Sequence, residues 1–306
     1  MTLATAADKQ SPGLHGISRV DAVEKLRSYL HRPDRRTDAQ WIAALSPRKL
    51  AEIEFHDNDR DPNVQRKSET DSFARDTGNR KYYATVDASR TYMREWIARN
   101  SAGKVVLDYA CGNGAHAMLA AEAGAGLAVG LDISSVSVGN CKTIADQKGL
   151  TNTVFVQGDC EATDLPDASV DTVVCCGMLH HLDLSFALPE LRRIMKPGAR
   201  LLAMEALDYN PAIKLYRRLT PQFRTDFETD HILDLKDIEF ASRFFDVGEM
   251  RFWHLCSIPT AFLRGTQFFR PALAVANAID DVVLRIPGLR RMAWMFTFEL
   301  VRKSDD

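Results

Sequence analysis

Asp108, Gly112 and Gly114 stand together in the segment Val105-Val106-Leu107-Asp108-Tyr109-Ala110-Cys111-Gly112-Asn113-Gly114, where an apolar run ends in an acid and a glycine-rich turn. Glycine at such a turn admits a positive φ and lets a ligand approach the backbone with no Cβ in the way. Ala115 to Glu122 reads as the next helix, whose N-terminal amides and dipole face the turn and favour a polar or charged group there. Gly112-x-Gly114-x-x-Ala117 also satisfies the dinucleotide fingerprint, so the turn alone leaves the ligand open.

The flanking acids narrow it. A carboxylate at Asp108 pairs with the ammonium of a bound amino acid and repels a pyrophosphate, which favours S-adenosylmethionine over NAD. Leu127-Ala128-Val129-Gly130-Leu131-Asp132 is a second apolar run ending in an acid, placed to accept both ribose hydroxyls of either cofactor. A third strand, Val154 to Gln157, ends at Gly158-Asp159-Cys160; Asp159 can accept from an adenine amino group while Cys160 offers its backbone amide.

From about Lys104 to Glu205 the chain resembles the class I S-adenosylmethionine-dependent methyltransferases, in the small-molecule branch that includes the quinone C-methyltransferases. Asp108-x-Ala110-x-Gly112-x-Gly114 is similar to that superfamily's first motif, and Asp132, followed by Ile133, to its ribose-binding acid. Gly158-Asp159-Cys160-Glu161 and the run Leu165 to Asp171 resemble the adenine loop and the approach to the fourth strand. Cys175-Cys176-Gly177-Met178-Leu179-His180-His181-Leu182 resembles the strand-end segment that follows, with Cys176 lining the inner wall by its backbone, and Leu191 to Leu201 the next helix, turn and strand. The resemblance implies S-adenosylmethionine as cofactor and an α/β fold, a doubly wound, mostly parallel, seven-stranded Rossmann-like sheet. Ala110 replaces the first glycine of the common motif, from which a slightly shifted turn with binding retained is expected.

The sulfonium of this cofactor is already a strong electrophile, so alignment supplies much of the acceleration and a base is needed only for a protonated acceptor. Candidate bases are His180, His181, Glu205 and His231, with His181 expected to face the acceptor. Two other classes of function remain: a non-catalytic cofactor-binding regulatory or scaffold subunit, and a NAD-dependent oxidoreductase, which Asp108 disfavours.

Positioning these residues takes a large core, which 306 residues with 45% hydrophobic content can bury. Residues 1–100 read as a tail and helical lid, and 101–306 as the catalytic core. Val20 to Leu30, Ser46 to His56 and Asp87 to Arg99 carry helical spacing, with a charged break from Asp34 to Thr37. Asn79-Arg80-Lys81-Tyr82-Tyr83 is the expected lid segment; Tyr82 or Tyr83 either touches the methionine part of the cofactor or packs the lid onto the core. After the core, Asn210 to Leu219 and Leu235 to Arg243 read as helices around a turn at Thr220 to Thr225. Val247 to Leu255 and Trp294 to Val301 read as an antiparallel last pair of strands.

Between that pair, Ser257 to Met292 forms an apolar insertion, interrupted by Asn277, Asp280, Asp281 and Arg285, so that no run is long enough to span a bilayer. It serves as a lid over a greasy substrate, a surface for a second copy in a homo-oligomer, an interfacial membrane contact, or simply core. A net charge of −2 without a dense basic face argues against nucleic acid. The six cysteines show no Cys-x-x-Cys, so no metal is expected and reduced thiols in a cytoplasm are. Met1 to Gln10 lacks the pattern of a signal peptide. The expected partner is a small-molecule acceptor.

Overall fold

The computed structural model describes residues 19–32, 39–61, 79–220, 225, 227–228 and 231–304. The tail at 1–10, the break at 34–37 and most of the turn at 220–225 lie outside them. Seven strands form one sheet in the order β3-β2-β1-β4-β5-β7-β6. In chain order they are β1 Val105–Tyr109, β2 Leu127–Asp132, β3 Thr153–Gln157, β4 Val170–Cys176, β5 Met195–Ala206, β6 Phe245–Trp253 and β7 Met295–Arg302.

Every residue of β1 and β2 is buried, as continuous apolar runs require when both faces of a parallel sheet are covered. β1 pairs in parallel with β2 on one side and β4 on the other, so the chain reverses its winding there and opens a crevice at the strand C-termini. β7 is inserted antiparallel between β5 and β6, which makes Val247–Leu255 and Trp294–Val301 the expected antiparallel pair within a residue or two.

The helices are α1 Arg19–Leu30, α2 Ala39–Ala43, α3 Pro47–Arg60, α4 Asp87–Ser101, α5 Ala115–Glu122, α6 Ser135–Gln147, α7 Leu184–Ile194, α8 Pro211–Leu219, α9 Leu235–Ala241 and α10 Phe269–Val283. Met93, Trp96 and Ile97 of α4 join Ala117, Val138 and Phe155 on one face of the sheet. Leu26 and Leu30 of α1 join Leu188, Leu191 and Ile194 of α7 on the other. The leading region is therefore not one lid. α1 and α4 complete the two layers, and α3 stands over the crevice.

The insertion divides its apolar residues between two faces, because neighbours on a helix point about 100° apart. Phe269, Leu273 and Ala276 are buried, whereas Phe268 is 63% exposed and Val275, Ile279, Val282 and Ile286 form an exposed stripe. Phe268 and Phe269, adjacent in the sequence, thus do different things. Among the described residues no helix is long and apolar enough to cross a membrane.

Asp280, an interruption in the sequence pattern, is what anchors this insertion. It is buried, and its carboxylate accepts from the amides of Leu255 (3.1 Å), Cys256 (2.6 Å) and Ser257 (3.1 Å). The ring of His254 lies between Ser89 Oγ (2.8 Å) and Ser257 Oγ (3.1 Å), tying the same corner to α4.

Asp280→Ala should cost about 3 kcal/mol, since amides left without an acceptor in a buried corner carry the full desolvation penalty. Urea unfolding checks this, and a change under 1 kcal/mol would refute the anchor. Burial holds His254 down to about 4, so the unfolded chain, with its ordinary value near 6.5, takes a proton that the folded chain refuses. Stability from this site is complete above the unfolded value and drains away as pH falls toward 4, by about 1.4 kcal/mol per pH unit. Asn tolerates the φ of +65° found at His254. His254→Asn should accordingly lose less stability than wild type between pH 7 and pH 5; parallel profiles would contradict the assignment.

Candidate active site

The turn after β1 forms as its glycines demand. Gly112 and Gly114 take φ of +52° and +70°, and a Cβ on Gly114 would sit 2.7 Å from the Phe155 ring. Ala110 also takes a positive φ, +56°. The methyl group is thus carried on a left-handed backbone that an L residue adopts only with strain.

The three strand-end acids are buried side by side, each with a different set of partners. Asp108 accepts from the amide of Ala117 (2.9 Å), with His116 Nδ1 3.8 Å away. Asp132 accepts from the amides of Gly112 (2.7 Å) and Ser134 (2.9 Å), with the Arg60 guanidinium at 3.8 Å. Burial pushes the Asp132 carboxyl above its ordinary value, against the pull of Arg60 and those two amides. Asp159 pairs with Lys49 Nζ at 2.5 Å, and the same ammonium reaches Glu161 at 2.8 Å. Burial works against that ammonium, yet its hydrogen bonds to Asp159 and Glu161 hold it above the ordinary lysine value.

Lys49 and Arg60 both come from α3, whose N-terminus is fixed by the Ser46 side chain and by Pro47 in the first turn. Arg48 adds an ion pair with Glu161 and a hydrogen bond to the His181 carbonyl at 2.8 Å. This helix covers the crevice so closely that Ala110, Ile133, Asp159 and Cys160 line a cavity of only about 30 Å³ beneath it.

A second cavity, of about 540 Å³, adjoins the first through His56 and His181. Its apolar wall includes Tyr82, Tyr83, Tyr216, Phe262 and Trp294, and its polar end His180, His181, Glu228, Arg217 and Asn210. Asn210 caps α8 through the amides of Ala212 and Ile213 and donates to the Met292 carbonyl, so the end of the insertion helps fix this wall.

At the polar end Glu205 is fully buried and accepts from the amides of Met178 (2.9 Å) and Leu179 (2.8 Å). Its other oxygen lies 2.6 Å from His180 Nδ1. Glu52 of α3 plays the same part for His181, 3.0 Å from its Nδ1, while accepting from Thr225 Oγ1 at 2.7 Å. Burial works against the charge on Glu52, but hydrogen bonds from His181 and Thr225 and the nearby His56 ring hold its carboxyl well below the usual range. The Cys176 thiol is pushed up to about 12 by burial and by Glu205 and Asp108, so it supplies no thiolate.

Of the residues expected from sequence, Asp108, Ala110, Gly112, Gly114, Asp132, Ile133, Asp159 and Cys160 line or build the crevice, and Cys176 ends β4 beside it. Tyr82 and Tyr83 do not reach the small crevice cavity. They pack against Trp294 in the large cavity, with ring centroids 6.5 and 5.5 Å away, because the 3₁₀ turn Asn79–Thr85 meets the insertion there. Glu205 is no free base, since its oxygens are taken up by the loop it holds. His231 does not join the cluster; it is exposed and stacked on Phe227.

Glu52, His56, Lys49, Arg60 and Glu228 were not anticipated. Lys49, Glu52, His56 and Arg60 recur at helical spacing, a polar stripe on a helix that was read only for its apolar face.

With this crevice and its three acids in view, comparison with known proteins is direct. Residues 106–198 match the methyltransferase domain family. Over that segment the chain is similar to the class I S-adenosylmethionine-dependent methyltransferases. A ubiquinone/menaquinone biosynthesis C-methyltransferase from Marinomonas is 33% identical over 123 residues, 38% of this chain and 49% of that protein. A 27-O-demethylrifamycin SV methyltransferase from Amycolatopsis mediterranei is 31% identical over 123 residues, 39% and 45% of the two chains. The chain thus spans about half the length of the curated relatives it matches. Among solved structures, geranyl diphosphate C-methyltransferase from Streptomyces coelicolor, in complex with Mg2+, geranyl diphosphate and S-adenosyl-L-homocysteine, superposes with a TM-score of 0.57. That alignment covers 84% of this chain and 98% of the other at 12% identity, a likeness of fold.

Ala110→Gly should raise stability by about 1 kcal/mol, because a left-handed backbone costs an L residue about that much and glycine nothing. Thermal unfolding reads it, and an unchanged or lowered midpoint would show that the Ala110 methyl contributes packing that outweighs the strain.

Proposed function

We propose that the protein transfers a methyl group from S-adenosylmethionine to a small, largely apolar acceptor that carries an oxygen-bearing polar end. The cavity of about 540 Å³, aromatic on one wall and imidazole-carboxylate at the other, is the observation that carries this reading. The cofactor supplies an electrophilic methyl on a sulfonium.

The residues present suit that cofactor. Asp108 and the turn at Gly112 and Gly114 would hold the amino-acid end, Asp132 the ribose, and Asp159 with the Cys160 amide the adenine. Because a nucleoside far exceeds a cavity of about 30 Å³, α3 acts as the lid of this crevice and moves when the cofactor enters. Its cations, Lys49 and Arg60, then surrender Asp159 and Asp132 to the cofactor.

His180 and His181 face the acceptor, each with Nδ1 turned to a buried carboxylate. In a neutral ring oriented that way Nε2 carries the lone pair, which suits it to take a proton from a hydroxyl or an activated carbon acid. Glu205 and Glu52 set the tautomer and the ring planes, and Tyr82, Tyr216, Phe262 and Trp294 exclude water and seat the apolar body.

Incubating the protein with S-adenosylmethionine labelled in the methyl group and with apolar cell extract should place label on a small molecule identifiable by mass spectrometry. Label found only on protein or nucleic acid would contradict the reading. Asp132→Ala should weaken S-adenosylhomocysteine binding ten- to a hundredfold, the loss of a charge-assisted hydrogen bond of about 1.5–3 kcal/mol. Unchanged calorimetric affinity in that variant would remove Asp132 from the cofactor site.

A further inference from the structure

We propose that His180, His181 and Glu228 bind a divalent transition-metal ion on the wall of the large cavity. One ligand atom from each of the three lies within 4.8 Å of the other two. His180 Nε2 is 3.8 Å from Glu228 Oε1, and His181 Nε2 is 4.0 Å from Glu228 Oε2. Those gaps are too wide for hydrogen bonds, which end near 3.2 Å. They suit donors on opposite sides of an ion, since bonds of about 2.0–2.2 Å set ligand atoms roughly 3–4 Å apart.

The orientation of the rings argues the same way. Metal-binding histidines turn their second nitrogen to a carboxylate, which fixes the tautomer and raises the basicity of the coordinating nitrogen. Both imidazoles here do so at once, His180 toward Glu205 and His181 toward Glu52. Glu228 is brought to the rings by a relay: its amide donates to Thr225 Oγ1 (3.2 Å), and Thr225 donates to Glu52. One buried carboxylate therefore orients a ring and, through Thr225, the segment bearing the third ligand.

Glu52, His56 and His181 meet the same distance test. There, however, Glu52 already serves His181 Nδ1 and Thr225, with His56 Nε2 3.3 Å away, so that trio is the shell behind the site. Two imidazoles and one carboxylate form a borderline donor set suited to zinc, iron(II), manganese(II) or cobalt(II), and poorly suited to Mg2+, which prefers oxygen throughout. All three residues line the large cavity, so an ion held by them would face it. With an ion bound, both Nε2 lone pairs would go to the metal, which would take over the role given above to the imidazoles: an acceptor hydroxyl bound there would be acidified and lose its proton to solvent, or a keto oxygen polarised, beside the methyl donor; this use rests on the methyl-transfer reading, whereas the site itself does not.

The test uses the full chain stripped with a chelator, then titrated with Co2+, which reports its coordination by visible absorption, and with Zn2+ in a calorimeter. Wild type should take up one ion per chain, and a tenfold excess of Mg2+ should not displace it. Glu228→Gln and His180→Asn should weaken Co2+ binding at least a hundredfold, and Glu205→Gln ten- to a hundredfold through the loss of ring orientation. Glu249→Gln, at an exposed pair with Arg251, should leave it unchanged. Circular dichroism and S-adenosylhomocysteine affinity report folding and cofactor binding separately. If His180→Asn fails to fold, Glu228→Gln, whose side chain is partly exposed, carries the test. Folded wild type that binds neither ion, or a folded Glu228→Gln that binds like wild type, overturns the proposal even if methyl transfer is found.

Discussion

Buried carboxylates govern this structure. Asp108, Asp132 and Asp159 end three neighbouring parallel strands, and Glu205 ends a fourth, all at one edge of a sheet covered on both faces. A carboxylate taken out of water without compensation is prohibitively costly, so every one of these groups dictates what surrounds it. Backbone amides satisfy part of the demand: Ala117 at Asp108, Gly112 and Ser134 at Asp132, Met178 and Leu179 at Glu205. Cations from α3 satisfy much of the rest at Asp132 and Asp159.

That demand places α3, and α3 then places the second half of the site. The helix that carries Lys49 and Arg60 to the crevice acids also carries Glu52 to His181 and to Thr225. Glu205 meanwhile shapes the loop from Gly177 to His181 and orients His180. The crevice and the large cavity are thus coupled through one helix and one strand end. Movement of α3 would change both, which gives cofactor entry a direct route to the His181 ring in the large cavity.

How legible this was depends on the range of the interactions. β1, β2 and their terminal acids were readable because a buried parallel strand is a continuous apolar run and an acid at its end breaks the pattern. The last antiparallel pair was readable from alternation, and the insertion between them from its composition. The polar stripe of α3 escaped because a helix facing buried charges reverses the usual rule and turns polar residues inward. Glu228 escaped for a different reason: its meaning comes from His180 and His181, almost fifty residues away, and no local pattern marks it. Tyr82 and Tyr83 were visible as functional aromatics, but only the meeting of their 3₁₀ turn with the insertion decides that they line the large cavity.

The central claim is that α3 holds the crevice acids closed and yields them to the cofactor. A direct measurement places spin labels at Leu50→Cys on α3 and Gln147→Cys at the end of α6, both exposed positions, in a Cys256→Ser background, and records the distance between them by pulsed electron resonance. Saturating S-adenosylhomocysteine should shift the distance distribution by several ångströms, a displacement large enough to admit a nucleoside, and Lys49→Met should move the ligand-free distribution toward the bound one. An identical distribution with and without bound ligand would contradict the account.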